Sequence, residues 1–178
     1  MSGVDRHLIL VGLPGAGKTT VGRLLALKLG VPFVDLDARI ESATGRTVTQ
    51  LFQERGEPMF RMLERGAMAT ALEAEPSVIA TGGGWAAQPG ALESVGPRGH
   101  LLYMRCDPAV AAGRLQGDAT RPLLQGRDLR ARLTTLLQQR AAAYEGAVRT
   151  FEAGDSAPDA LADEMAGFAL YGQVVAGE

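Results

Sequence analysis

The 178-residue sequence has one cysteine, Cys106, and so excludes an intrachain disulfide. Without disulfides, a reducing compartment such as the cytoplasm is favoured. The sequence also lacks any apolar run of the roughly 18 residues that a membrane-spanning helix requires. The apolar stretch at residues 8–12 is too short for the hydrophobic region of a signal peptide. We therefore predict a cytoplasmic protein with no membrane partner.

The sequence has no excess of basic residues either. The 18 Lys and Arg residues face 20 Asp and Glu residues, which gives a net charge of -2. Nucleic-acid binding usually needs a basic surface, so no nucleic-acid partner is expected. The length and the 46% hydrophobic composition fit one domain over residues 1–178, with its core at about 7–170. No symmetric apolar seam indicates a dimer, and a monomer is expected.

Short apolar runs alternate with longer segments that have helical spacing. Five runs read as strands: 7–12, 32–37, 77–81, 100–106 and 148–153. Nearly continuous apolar strands between helices are typical of a parallel sheet that is covered on both faces. We predict a three-layer α/β fold with a five-stranded parallel sheet and helices on both faces. Polar turn signals predict a mobile lid at about 116–128, and the tail at about 171–178 is expected to fray.

The stretch "GLPGAGKTT", residues 12–20, follows the first apolar run and opens a helical pattern. The full G-x-x-x-x-G-K-T pattern in this context predicts a phosphate-binding loop (P-loop) for a nucleotide. Lys18 brings positive charge to the phosphates, and the Thr19 hydroxyl is suited to ligate Mg²⁺. Such a loop serves switches, motors and kinases equally. The predicted nucleotide contacts of the loop are Gly12, Pro14, Gly15, Ala16, Gly17, Lys18, Thr19 and Thr20.

Two acids stand in "PFVDLD", residues 32–37. If the strand continues through them, Asp35 and Asp37 point to the same side at its carboxyl end, where open α/β sheets bind ligands. We expect Asp35 to face hydrated Mg²⁺ and Asp37 to act as a general base on an acceptor hydroxyl. In the alternative, Asp37 only caps the helix that follows.

Several motifs together resemble the shikimate kinase family. They are "GLPGAGKTTVGRLLA", "VDLD" followed by "GRTVTQLF", "GEPMFRMLE", "TGGG", "DATRPLL" and "QRAAAY". The similarity runs from about His7 to Asp155. It implies an ATP-dependent kinase that uses Mg²⁺ and transfers the γ-phosphoryl group to the 3-hydroxyl of shikimate, a step in chorismate and aromatic amino acid biosynthesis.

The resemblance also implies site residues. The expected catalytic residues are Asp37, Lys18 and Arg121, where Arg121 reaches from the lid to the phosphates. Arg114 is expected along the adenine. The expected shikimate contacts are Asp37, Arg61, Gly82, Gly83, Gly84 and Arg140.

The residue types fit an anionic, polyhydroxylated acceptor, which needs fixed cations, a carboxylate and a close backbone wall. Arg61 and Glu64 share a helix face at i, i+3, so Glu64 is able to orient the guanidinium. The alternatives are a solvated ion pair for Arg61, a tight strand exit for the three glycines, and a surface salt bridge for Arg140.

Trp85 departs from the family pattern, which usually has a small residue after the glycines. Its indole is expected either to narrow the acceptor pocket or to pack beneath the following helix. Two rival functions remain open at this stage. One is another small-molecule or nucleoside monophosphate kinase of the same fold, and the other is a ligand-binding module that has lost turnover.

Overall fold

One parallel sheet organises the computed structural model, which describes residues 4–116 and 128–172. Its strands are β1 (His7–Val11), β2 (Phe33–Asp35), β3 (Val78–Ala80), β4 (Gly99–Arg105) and β5 (Arg149–Glu152). They lie in the order β2-β3-β1-β4-β5. In the central strand, Leu10 is paired with Ala80 of β3 and Leu102 of β4. The predicted five-stranded parallel α/β sheet is confirmed.

Seven α-helices surround this sheet in the described part of the chain: α1 (Lys18–Leu29), α2 (Leu36–Thr44), α3 (Val48–Leu72), α4 (Ala91–Val95), α5 (Pro108–Leu115), α6 (Leu129–Glu145) and α7 (Pro158–Tyr171). A short 3₁₀ turn, Gly96–Arg98, precedes β4.

Successive residues of β1 point to opposite faces of the sheet, and so they join two different cores. Leu8 and Leu10 pack in a cluster with residues of α1 and α7. Ile9 and Val11 pack in a second cluster, with residues of α3 and α4. The sheet is therefore covered on both faces, as predicted. Among the described residues, no helix combines the length and apolar character needed to cross a membrane.

The helix that carries Arg61 is bent. Thr47 caps its start in a reciprocal capping box with Gln50, which satisfies two end groups of the backbone. Gly56 then leaves the helical conformation, with φ 78° and ψ 169°. Pro58 lies in the first turn after this bend. The sequence did not predict that the preceding turns, from Val48, belong to the same element.

Parts of two predictions lie outside the described residues. The proposed lid covers 116–128, of which 117–127 are not described, and Arg121 is among them. Asp128 is described, and its side chain accepts a hydrogen bond from the Ala131 N–H at the start of α6. The tail from 173 onward is likewise not described.

Candidate active site

The P-loop connects β1 to α1 through glycines that other residues could not easily replace. Gly12 has φ 146°, and a Cβ there would lie 2.5 Å from the Met104 carbonyl oxygen. Gly15 has φ 81°, and a Cβ there would lie 2.7 Å from the Ala111 carbonyl oxygen. Gly17, at the N-terminus of α1, has no side chain to cap the helix. The positive end of the helix dipole is thus open to an anion.

The charged and hydroxyl groups of this loop are held in place. The buried Lys18 Nζ donates to the carbonyl oxygens of Gly12 and Leu13, both at 2.8 Å. The Thr19 hydroxyl donates to Asp35 Oδ2 at 2.6 Å. One cation and two hard oxygen groups therefore stand together at the start of α1.

A cavity of about 490 Å³ opens over the P-loop. Its walls include both predicted acids, Thr81, Arg114 and residues that follow β5. Its lining is Gly15, Ala16, Gly17, Lys18, Thr19, Thr20, Val21, Asp35, Asp37, Thr81, Arg114, Leu115, Ala153, Ser156, Pro158 and Leu161. This volume falls in the range of small-ligand pockets.

Arg114 lines this cavity and makes several hydrogen bonds to backbone carbonyls. Its guanidinium donates to the Gly15 carbonyl at 3.3 Å, and to the carbonyls of Ala153 and Gly154 at 3.0 and 2.7 Å. The side chain therefore joins the P-loop to the segment after β5. The predicted position beside the nucleotide is consistent with this geometry.

The two acids do not lie on one strand as the sequence predicted. Strand β2 ends at Asp35, and Asp37 lies in the first turn of α2. The Asp35 Oδ1 accepts the Ala38 N–H at 3.1 Å, so Asp35 is the residue that caps the helix. A capping carboxylate stabilises helix formation at this point, and this ends the strand two residues early. Both acids nevertheless reach the same cavity.

The glycine turn after β3 contacts three different parts of the site. A Cβ on Gly82 would collide with Glu64 Oε1 and lie 3.3 Å from Asp37 Oδ1. A Cβ on Gly83 would lie 2.6 Å from Pro14 of the P-loop, and one on Gly84 would lie 2.5 Å from Arg61 Nη2. The turn is therefore in close contact with Glu64, Asp37, Pro14 and Arg61. The turn stands between the phosphate-binding loop and the predicted acceptor residues.

Two carboxylates hold Arg61, whose side chain is only 14% exposed. Glu64 Oε2 accepts from Nη1 at 2.6 Å, as the i, i+3 spacing predicted. Glu57 Oε1 accepts from Nη2 at 2.8 Å. Gln88 Nε2 also donates to Glu64 Oε2, at 2.8 Å. The guanidinium is therefore held on one side by the buried Glu64 and on the other by Glu57, whose side chain is 53% exposed.

Glu64 is fully buried, and its Oε1 atom has no hydrogen-bond partner among the described residues. Burial raises the pKa of this carboxyl, and the nearby charge of Asp37 raises it further. The charge and hydrogen bond of Arg61, and the hydrogen bond of Gln88, act in the opposite direction. The protonated form of Glu64 is thus favoured relative to a carboxyl in water.

Arg140 is related to the glycine turn only through another residue. It lies on α6, one turn before Tyr144, and its positive charge acts to lower the pKa of the Tyr144 phenol. The Tyr144 hydroxyl donates to the Gly83 carbonyl oxygen. Of the two predicted acceptor arginines, Arg61 therefore lies directly beside the turn, and Arg140 lies one helical turn from the residue that bonds to it.

Known proteins resemble this chain over most of its length. The shikimate kinase family model matches residues 14–169. A shikimate kinase of Thermobifida fusca is 43% identical over 160 residues, which cover 89% of this chain and 91% of that protein. A shikimate kinase of Caulobacter vibrioides is 39% identical over 151 residues, which cover 85% of this chain and 76% of that protein. This chain belongs to the shikimate kinase family. The resemblance read from the motifs is confirmed.

Solved structures of the shikimate kinase family show the same architecture. A shikimate kinase from Acinetobacter baumannii in complex with shikimate has a TM-score of 0.90, at 36% identity and with 95% of each chain covered. A gluconokinase from Sinorhizobium meliloti has a TM-score of 0.55 at 19% identity. That second likeness extends to the fold alone.

Trp85, which departs from the family pattern, is buried. The indole is 1% exposed and belongs to the core cluster that also contains residues of β1, β4 and the following helix, α4. Of its two predicted positions, this burial supports the one beneath that helix. Cys106 is also buried, and burial raises the pKa of its thiol. His7 is buried and hydrogen-bonded to Ser77.

Sequence reasoning missed three contributors to the site. Glu57 could have been found, since it precedes Arg61 by four residues on a predicted helix. Gln88 and Tyr144 gave no local signal, because their partners lie 24 and 61 residues away. Tyr144 packs in the core, and it also donates a hydrogen bond to the glycine turn.

Proposed function

We propose that this protein is a shikimate kinase, which transfers the γ-phosphoryl group of ATP to the 3-hydroxyl of shikimate and releases ADP. The product, shikimate 3-phosphate, belongs to chorismate and aromatic amino acid biosynthesis. One observation carries the proposal. The Gly82–Gly84 turn contacts the P-loop on one side and both Asp37 and Arg61 on the other. A nucleotide on the loop and a carboxylate-bearing alcohol on the arginines would therefore meet at this turn.

Asp37 is the proposed general base. Its carboxylate lines the same cavity as Lys18 and Thr19, so it can receive a proton from a hydroxyl that faces the γ-phosphate. A positioned base of this kind typically contributes roughly 10²- to 10⁴-fold to the rate. Kinase catalysis otherwise depends on positioning and on neutralising charge, which the arginines and Lys18 supply.

Mg²⁺ fits the residues beside the P-loop. Thr19 and Asp35 offer a hydroxyl and a carboxylate 2.6 Å apart, and Mg²⁺ is typically held by one or two such oxygens together with substrate phosphates. No cluster of three or more acidic, His or Cys side chains suited to a metal occurs in residues 4–116 or 128–172. A metal that arrives with ATP and neutralises phosphate charge is consistent with so few protein ligands.

The remaining roles are proposed from the resemblance to the family. Arg61 and Arg140 are proposed to bind the shikimate carboxylate, with the backbone of Gly82–Gly84 as the wall of the acceptor site. Arg114 is proposed to lie along the adenine. Arg121, outside the described residues, is proposed to reach the phosphates from a lid. We further propose a cytoplasmic monomer.

An acceptor panel tests the proposal. Purified protein would be incubated with Mg²⁺-ATP and either shikimate, gluconate, a nucleoside monophosphate or no acceptor, with ADP measured by an enzyme-coupled assay. ADP formation that depends on shikimate, with mass-spectrometric detection of a singly phosphorylated product, is the expected result. Phosphorylation of gluconate or a nucleotide without shikimate turnover would overturn it.

The same assay addresses the rival of an inactive binding module. Such a module would bind shikimate in calorimetry and form no product. The hydrogen bonds of Lys18 and the pairing of Thr19 with Asp35 argue for an intact catalytic site. Binding without turnover under saturating Mg²⁺-ATP would favour the module.

A further inference from the structure

Tyr144 occupies an unusual position for a core aromatic residue. Its ring is fully buried and stacks on Tyr103 of β4, with ring centroids 5.2 Å apart. Its hydroxyl leaves the apolar cluster and donates to the Gly83 carbonyl oxygen. Packing alone would be served by phenylalanine, so the hydroxyl calls for a separate explanation.

The Gly83 carbonyl matters because of the peptide unit to which it belongs. The described peptide bonds include no cis bond, and in a planar trans unit the C=O and the next N–H point in opposite directions. With the Gly83 oxygen turned toward Tyr144, the Gly84 N–H is turned away from it. Gly84 is also the residue whose Cα faces the Arg61 guanidinium. The hydrogen bond thus fixes the direction of the N–H of Gly84, the residue that lies against Arg61.

Glycines have the widest conformational freedom, so the direction of this peptide depends on the hydrogen bonds that hold it. The Trp85 N–H closes the turn onto the Gly82 carbonyl at 3.1 Å. Tyr144 then supplies the side-chain hydrogen bond to Gly83. A buried carbonyl without a partner costs free energy, so the bond favours one orientation of the turn.

Arg140 lies one helical turn before Tyr144 on α6, and its positive charge acts to lower the pKa of the phenol. A phenol both donates and accepts, so its oxygen can still accept a hydrogen bond while its proton is donated to the Gly83 carbonyl. Burial raises the pKa of Tyr144 to about 12. The hydroxyl therefore remains a donor at any pH at which the protein is studied.

We propose that Tyr144 is a positioning residue for the acceptor, which orients the Gly83–Gly84 peptide. The proposal rests on the proposed function, since it assigns shikimate to this side of the turn. The P-loop has its own supports, namely the Lys18 bonds to Gly12 and Leu13. Loss of the hydroxyl is therefore expected to affect shikimate and to leave ATP unaffected.

Tyr144→Phe tests this role, because it keeps the ring and its stacking and removes only the hydroxyl. The KM for shikimate should rise about tenfold, which corresponds to one lost buried hydrogen bond. The KM for ATP should not change. Tyr103→Phe is the matched control, since it removes a hydroxyl from the ring stacked on Tyr144, and both KM values should stay at the wild-type level.

Three outcomes would count against the proposal. An unchanged shikimate KM in Tyr144→Phe would overturn it. A lower melting temperature together with an equal rise in the KM values for shikimate and ATP would show a purely structural role, and this would also overturn the proposal. A wild-type protein that forms no shikimate-dependent ADP would overturn the proposed function itself, and the acceptor role of Tyr144 with it. Calorimetric titration of shikimate into both variants gives the same comparison without turnover.

Discussion

The P-loop and the glycine turn both offer backbone to a ligand, but their glycines have different functions. In the P-loop, Gly12, Gly15 and Gly17 have positive φ values of 146°, 81° and 90°. In the turn, no residue of 82–84 has positive φ. Those three glycines are required by space, since a Cβ on each would strike Glu64, Pro14 or Arg61. The P-loop glycines are needed for their positive φ values, whereas the glycines of the turn are needed because neighbouring groups leave no room for a side chain.

The supports of the two regions differ in the same way. Lys18 holds the P-loop through carbonyls only five and six residues away. The glycine turn is held by Tyr144 from 61 residues away, and its arginine neighbour by a network that includes Gln88. A local loop can be read from a short motif, whereas a wall assembled from distant segments depends on the completed fold. The predictions below test this division, in order of decreasing effect on turnover.

The largest effect is expected for Asp37→Asn. The variant keeps the size of the side chain and removes the proposed base, so kcat should fall roughly 10²-fold or more. ATP binding, measured by calorimetry, should persist, because the P-loop is unaltered. Asp163→Asn, in a surface acid paired with Lys28, is the control and should turn over normally. An unchanged rate in Asp37→Asn would remove Asp37 as the base.

Two alanine substitutions should separate the two kinds of glycine. Gly84→Ala places a methyl group against the Arg61 guanidinium, and the displaced arginine should lower kcat/KM for shikimate by roughly 10²-fold. Gly15→Ala forces alanine into positive φ and against the Ala111 carbonyl, so it should weaken ATP binding instead.

The control for both is Gly66→Ala on α3. A Cβ there meets nothing within 4 Å, and alanine favours the helix, so activity should be unchanged and stability equal or slightly higher. If Gly84→Ala weakened the binding of ATP and of shikimate equally, the two regions would not have separate functions.

The buried network of the acceptor wall should also give stability a pH dependence. Burial raises the pKa of Glu64 above its ordinary value of 4.5, so the folded state binds the proton more tightly than the unfolded state. This contribution to stability is complete below the unfolded pKa and is lost as pH rises through the folded pKa. Against Glu64→Gln, the wild-type free energy of unfolding should therefore decline across that window, by at most about 1.4 kcal/mol per pH unit.

Urea denaturation at a series of pH values measures this decline. The Gln88 hydrogen bond lowers the pKa of Glu64, so Gln88→Leu should extend the decline to higher pH. Arg61 and Asp37 also face this carboxyl and are left intact in both variants. Parallel curves for wild type and Glu64→Gln would show that Glu64 titrates alike in the folded and unfolded states.

Features set by residues close together in the sequence were predicted, and features set by residues far apart in the sequence were not. Alternating apolar runs were enough for the five strands, and the P-loop motif was enough to place Lys18 and Thr19. The end of β2 was mispredicted, because the apolar alternation continues to Asp37 while the Asp35 cap starts α2 earlier. Gln88 and Tyr144 were not recognised as site residues. Their partners are fixed by how α3, α6 and the turn pack together, which no local pattern records.

The smallest effect on turnover is expected at Trp85, although it directly follows the glycine turn. Its indole is 1% exposed and belongs to the core between β1, β4 and α3. Trp85→Phe should lower the free energy of unfolding by about 1 to 3 kcal/mol, through lost packing. The KM for shikimate should remain that of the wild type, because the backbone bonds of the turn and the Arg61 network stay in place. A raised shikimate KM at unchanged ATP KM would mean that the core beneath the turn, and not only Tyr144, shapes the acceptor wall.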